Sequence, residues 1–201
     1  MEHDPQKQDF CGKYTHSTGA SRWLINRFFS QMSELLQGLD VQVAAEIGCG
    51  PGFSTQQLRK SLSQKVVFDA SDVEPDLVKL AGERNPDVPV RRESIYHLSR
   101  PDHSVDILFV LEVLEHLEHP EQAMAEICRV SRRWAILSVP REPIWCMMNM
   151  GRLKYVRSLG NTPGHLNHWT ARGFINFVSL YCKVISRRTP LPWTILLCRV
   201  S

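Results

Sequence analysis

Glu46-Ile47-Gly48-Cys49-Gly50-Pro51-Gly52 is the stretch from which the fold of this chain can be read. The apolar run before it, Val41 to Ile47, has the length of a strand, and a helical pattern over 53–63 follows. Three glycines between them let the backbone turn sharply and approach a ligand closely. A helix entered this way aims its free N–H groups into the turn, which suits an anion. A dinucleotide loop, G-x-G-x-x-G, places its third glycine three positions after the second. Here it comes two positions after, with Pro51 between, so a pyrophosphate loop is disfavoured.

Outward from this turn, apolar runs of strand length alternate with helical periodicity. Strands are predicted over Lys65–Ala70, Val88–Arg92, Val105–Leu111 and Trp134–Val139, and helices over Pro75–Arg84, Pro120–Ser131 and Thr170–Tyr181. A helix near 21–38 precedes them, with Leu24, Phe28, Met32, Leu35 and Leu36 on one stripe. Two strands, 182–188 and 192–200, close the chain, and their short link permits only an antiparallel pair. The pattern predicts an α/β fold: a doubly wound, mostly parallel seven-stranded sheet with an antiparallel edge strand. Ligands of such sheets bind at the carboxyl ends of the strands.

The expected organisation is one domain in four parts. These are an N-terminal arm and helix (1–38), a cofactor-binding core (39–139), a lid (140–169) and a C-terminal helix and strand pair (170–201). The 140–169 connection holds Pro140, Pro143, Gly151, Gly160, Pro163 and Gly164, and leaves a strand's carboxyl end. Connections this long are usually functional or disordered.

Composition narrows the classes. A net charge of +3 is too small to imply a nucleic-acid partner. The longest apolar run, Ile107 to Leu111, is far short of a membrane span, which needs about 20 residues. Met1 to Phe10 is polar, unlike a secretion leader. Cysteines at 11, 49, 128, 146, 182 and 198 form no C-x-x-C pair, so free thiols in a reducing cytoplasm are expected.

Candidate site residues follow the strand ends. Asp72 lies 22 residues past Gly50, where a carboxylate can accept both hydroxyls of a ribose. Asp69 and Glu74 compete for this role. Glu112 and His116 are one helical turn apart, with Glu115 between. His116 is the candidate general base. Glu112 and His116 could instead share a divalent ion, or only shape the loop. His165 and His168 are three apart without an adjacent Cys or carboxylate, so no metal site is predicted there. Both are candidates to face a substrate, as are Trp145, with methionines 147, 148 and 150, and Arg152, with Lys154 and Arg157. An amphipathic lid of this kind could also touch a membrane surface peripherally.

At this point the chain resembles the class I S-adenosylmethionine-dependent methyltransferases. The likeness rests on Glu46 to Gly52, on Asp72 in S-D-V-E-P and on S-I-Y-H-L at 94–98. It continues in P-D-H-S-V-D-I-L-F-V-L-E-V-L-E-H-L at 101–117, similar to the methyltransferase type 11 branch with its ubiquinone- and menaquinone-type enzymes. The resemblance implies S-adenosylmethionine as cofactor. Gly48, Gly50 and Gly52, with Cys49 in the same turn, would cradle its methionine part, and Glu46 would support them. Asp72 would hold the ribose, and Val73 would pack on the adenine. Ser94 and Ile95 would flank the adenine edge, with Ser94 standing where the family often has Asp. Leu111 and Glu112 would line the sulfonium site. The expected activity is methyl transfer to a small molecule, with a phenolic or amphipathic oxygen as acceptor. The alternatives are nitrogen or carbon acceptors, or cofactor binding without catalysis.

Overall fold

The structure is a computed structural model and describes residues 19–151, 155 and 158–200. Helix α1 (Gly19–Leu36) leads into strand β1 (Val43–Ile47), then α2 (Phe53–Ser61), β2 (Val67–Asp72), α3 (Pro75–Arg84), β3 (Val90–Arg92) and β4 (Val105–Leu111). A 3-10 turn over Leu114–His116 precedes α4 (Pro120–Val130) and β5 (Ser131–Pro140). Helices α5 (Ile144–Gly151) and α6 (Ala171–Val178) and strands β6 (Lys183–Arg188) and β7 (Trp193–Arg199) complete the order.

The seven strands run β3-β2-β1-β4-β5-β7-β6. Neighbours from β3 to β5 are parallel, while β7 is antiparallel to both β5 and β6. The antiparallel strand therefore lies one place in from the edge. Burial explains the exchange: β7 is buried along its middle, whereas β6 alternates between exposed and half-buried. The edge falls to the strand carrying Lys183, Arg187 and Arg188, charges that discourage pairing with another chain.

Strand β4 is buried at every position. Ile107, Phe109 and Leu111 join a cluster with Phe28 and Met32 of α1, Leu58 of α2 and Ala81 of α3. Leu108 and Val110 join the cluster of Met124 and Ile127 from α4 and Phe174 and Val178 from α6. The period of two thus divides one apolar run between two helical layers. Each such side chain contributes about 1.5–3 kcal/mol by leaving water. Asp106 ties the amino ends of three strands. Its Oδ2 accepts from Gln42 N and Val43 N, each at 2.9 Å, and its Oδ1 accepts from Arg132 at 2.7 Å.

Strand β2 extends through Asp72, two residues past its predicted end, because Ser71 pairs with Ile47 and Asp72 with Arg92. Ladder pairing of this kind leaves no trace in side-chain periodicity. The 140–169 connection contains a helix, α5, that its Pro and Gly content conceals. Its two ends are joined where Glu142 N donates to Trp169 O at 2.9 Å. Thr170 caps α6, its hydroxyl accepting from Gly173 N at 3.0 Å.

Candidate active site

A cavity of about 690 Å³ opens at the carboxyl ends of β1, β2 and β4. One end is built on the glycine turn. Gly48 has φ +76, and a Cβ there would collide with the Val113 side chain. Gly52 has φ +81 and serves a different contact: a Cβ there would sit 2.5 Å from Asn85 Nδ2 and 2.8 Å from Ala81 Cα. It lets α2 start against α3, behind the cavity. Asp72 is buried, and Oδ2 accepts from Gly50 N at 2.8 Å while Oδ1 accepts from Glu74 N at 3.0 Å. Burial pushes its carboxyl up, against the pull of the Glu74, Gly50 and Val73 N–H groups. A carboxylate has about four lone-pair sites, so it retains capacity to accept from a ribose hydroxyl. Asp69, the rival of Asp72, is taken by Arg100 at 2.7 Å and Arg91 at 2.8 Å.

Gly48, Gly50, Asp72, Val73, Ser94, Ile95, Glu112, His116 and His165 all line the cavity. Glu46, Cys49, Gly52, Leu111, Trp145 and His168 stand outside its lining, and Arg152 lies outside the described residues with Lys154 and Arg157. Glu46 is buried beneath the turn, where the Thr55 hydroxyl donates to it at 2.6 Å. Burial pushes its carboxyl up to about 7. Cys49 and Leu111 are core residues, and burial pushes the Cys49 thiol far up. Ser94 Oγ accepts from Tyr96 N at 3.3 Å.

Glu112 has φ +58, a left-handed conformation that a non-glycine residue adopts at a cost of about 1–3 kcal/mol. Three bonds hold it there. Its N–H donates to Ser138 O at 3.1 Å, Ser138 Oγ donates to Oε1 at 3.2 Å, and Trp193 Nε1 donates to Oε2 at 2.7 Å.

The other end of the cavity belongs to the 140–169 connection. Leu166 N and Asn167 N donate to Glu115 O at 2.8 and 3.0 Å, and Asn167 Nδ2 donates to Leu114 O and Leu117 O. Trp145 is buried behind His165, with rings 6.0 Å apart and stacked, and its Nε1 donates to Thr162 Oγ1 at 2.8 Å. His168 turns away, its Nδ1 3.7 Å from Glu142 Oε1. Carboxylates of Asp72, Glu74, Glu93, Glu112 and Glu115 line the cavity, with no Lys or Arg among the described lining residues.

Residues 45–139 match the family described as Methyltransferase domain, the type 11 group. This segment is a methyltransferase domain. No curated protein matches the chain. A crystal structure of a Pyrococcus horikoshii OT3 protein is similar in fold over the whole of both chains, with TM-score 0.75 and 14% identity. Magnesium protoporphyrin IX methyltransferase of Synechocystis PCC 6803, solved with bound SAH, is similar over 98% of this chain and 94% of its own, with TM-score 0.69 and 14% identity. An Aquifex aeolicus SAM-dependent methyltransferase is similar over 86% of this chain and 88% of its own, with TM-score 0.67 and 16% identity.

The methyltransferase domain uses S-adenosylmethionine, and the glycine-turn end of the cavity fits it. Asp72 has lone pairs to spare for the ribose, Ile47, Val73, Leu77 and Ile95 offer apolar contact, and the carboxylates suit a cationic ligand. The matched segment ends at residue 139, before Tyr155, Thr162, Pro163, Gly164 and Leu166, which line the other end. Sequence reasoning placed all five in the lid without singling them out as site residues, because no spacing rule marks them.

Proposed function

We propose that this methyltransferase transfers the cofactor's methyl group to the oxygen of a small phenolic or amphipathic acceptor. The observation carrying this reading is His116 at the end of the cavity away from the glycine turn. Its Nδ1 lies 2.9 Å from Gly164 O. A carbonyl only accepts, so Nδ1 carries the hydrogen, and in the neutral ring Nε2 keeps its lone pair. In the proposed role Nε2 accepts a hydrogen bond from the acceptor hydroxyl, aligns its oxygen and takes its proton as the methyl group is transferred. Tyr96, Leu117, Tyr155 and Leu166 supply an apolar surround for a ring.

When bound, S-adenosylmethionine supplies an electrophilic methyl on a sulfonium whose departure leaves a neutral thioether. No leaving anion needs stabilising, so the protein's contribution is alignment and exclusion of water. Gly48, Gly50 and Asp72 hold one partner, His116 orients the other, and the strained Glu112 stands in the lining. The connection acts as the lid, with His165 facing the acceptor and Trp145 behind it.

A second reading, transfer to an amine, is favoured by the five lining carboxylates, which suit a cationic acceptor. Methyl-labelled S-adenosylmethionine offered with panels of phenols, amines and carbon acids separates the readings. The oxygen reading expects label on phenols and a loss of at least tenfold, about 1.4 kcal/mol, in kcat for His116→Ala with cofactor binding retained. Label on amines alone transfers the reading to nitrogen.

The proposed setting is the reducing cytoplasm, supported by free cysteines at 49, 128, 146, 182 and 198. Among the described residues no helix is long and apolar enough to cross a membrane. Met147, Leu159 and Leu166 are exposed on the connection, which supports peripheral membrane contact.

A further inference from the structure

Glu115, His116 and His165 converge at the acceptor end, and one ligand atom from each lies within 4.8 Å of the others. Two separate segments supply them. Glu115 and His116 come from the turn after β4, and His165 comes from the connection about fifty residues later. Backbone bonds lock these segments together, because Leu166 N and Asn167 N both donate to Glu115 O.

The chemistry of the three groups suits a cation. His116 donates from Nδ1 to Gly164 O, the second contact that orients most metal-bound histidines. Its Nε2 is thereby left as an acceptor, 4.0 Å from Glu115 Oε1. The His116 and His165 rings stand 4.9 Å apart and nearly perpendicular, at 80°. Glu115 and His165 are buried, so neither is a loose surface group. Two imidazoles and one carboxylate form a donor set for divalent first-row transition ions. Metal–ligand bonds of about 2.0–2.2 Å put neighbouring ligand atoms roughly 3 Å apart, so modest side-chain rotation closes the site. Asp72, Glu74 and Glu112 also line the cavity, and their carboxylates add an attraction for positive charge.

We propose that Glu115, His116 and His165 bind one divalent transition-metal ion, with coordination positions left open for the acceptor oxygen. The proposal rests on reading this end of the cavity as the acceptor end. It narrows the acceptor class to oxygens that bind such an ion, above all those of vicinal phenolic hydroxyls. With the ion bound, Nε2 of His116 serves as its ligand. The acceptor oxygen is then held by the ion, and its proton passes to solvent. Sequence spacing hides the site because the carboxylate that His165 lacks nearby comes from Glu115.

Tag-free protein, stripped with a chelator, is titrated with Co²⁺ while its visible absorption is followed, and with Zn²⁺ by calorimetry. The expected result is one ion per chain with ligand-field bands. His165→Ala and Glu115→Gln should each weaken binding by roughly 10–100-fold. His168→Ala, outside the cavity, should bind as the parent does. The same samples are titrated with S-adenosylmethionine, which should bind the parent and His165→Ala alike. Absent bands, or affinity unchanged in His165→Ala, overturns the metal site while leaving the methyltransferase reading standing. Failure of the parent to bind S-adenosylmethionine overturns that reading whatever the metal result.

Discussion

The two ends of the cavity are built on opposite plans. The glycine-turn end lies within residues 45–139, and its pieces are short and close to strand ends: Gly48 and Gly50 after β1, Asp72 ending β2, and Glu112 after β4. The other end is assembled from the turn at Leu114–His116, from Tyr155 and from residues 162–166, joined by backbone and amide hydrogen bonds. A cofactor common to many enzymes can be held by a reusable strand-end device, while an acceptor must be met by a surface that varies. If so, substitutions at one end should leave the other nearly untouched.

The largest effect is expected from Gly50→Val. Gly50 has φ +53, a region that a β-branched residue strongly disfavours. The branched side chain would also displace the N–H that meets Asp72. Calorimetry should detect no S-adenosylmethionine binding while far-ultraviolet circular dichroism stays native. Retained affinity would reduce the turn to a structural corner and erase the contrast between the two ends.

Asp72→Ala is next. Losing hydrogen bonds to a charged group should weaken cofactor binding by about 1.5–3 kcal/mol. The substitution also releases the Gly50 and Glu74 N–H groups that Asp72 holds. An unchanged dissociation constant in a folded variant would remove Asp72 from the cofactor end.

Glu46→Gln tests whether the support beneath the glycine turn titrates. The folded chain holds the Glu46 proton up to about pH 7, well above the ordinary value of 4.5. Its stabilising contribution is therefore full below about pH 4.5 and lost as pH rises through 7, a change on the order of 3 kcal/mol. Chemical denaturation across this range should show that decline in the parent and a flatter profile in the variant. A parent profile without the decline would mean that Glu46 is ionised when folded.

Trp145→Ala should have the smallest effect, confined to the acceptor end. Removing the ring behind His165 should lower kcat/KM for the acceptor about tenfold, or 1.4 kcal/mol, with S-adenosylmethionine affinity nearly intact. Trp145→Phe keeps an aromatic ring and loses the bond to Thr162, so it should fall between the parent and the alanine variant. An equal loss of cofactor affinity in Trp145→Ala would show the ends to be coupled.

The same division governs what could be read in advance. The strand-helix alternation and the glycine turn are local patterns, and β4 is apolar throughout because both its faces are covered. Helix α5 was hidden by the breakers around it, and Trp145 was expected to face a substrate yet stands behind His165. Leu111 and Cys49 lie in the core, since one residue of phase along a strand or turn separates facing the cavity from facing the helices.

By itself the sequence determined the sheet class, the antiparallel final pair and the position of Asp72 after the glycine turn. These follow from periodicity and from spacings within single strand–turn–helix units. Only the tertiary structure decided that β7 lies inside β6, that Glu112 is held left-handed by Ser138 and Trp193, and that Glu115 and His116 meet His165. Each joins residues from distant parts of the chain. Such contacts are settled by which surfaces can be buried and which backbone groups must find partners, and neither is written in the spacing of neighbouring residues.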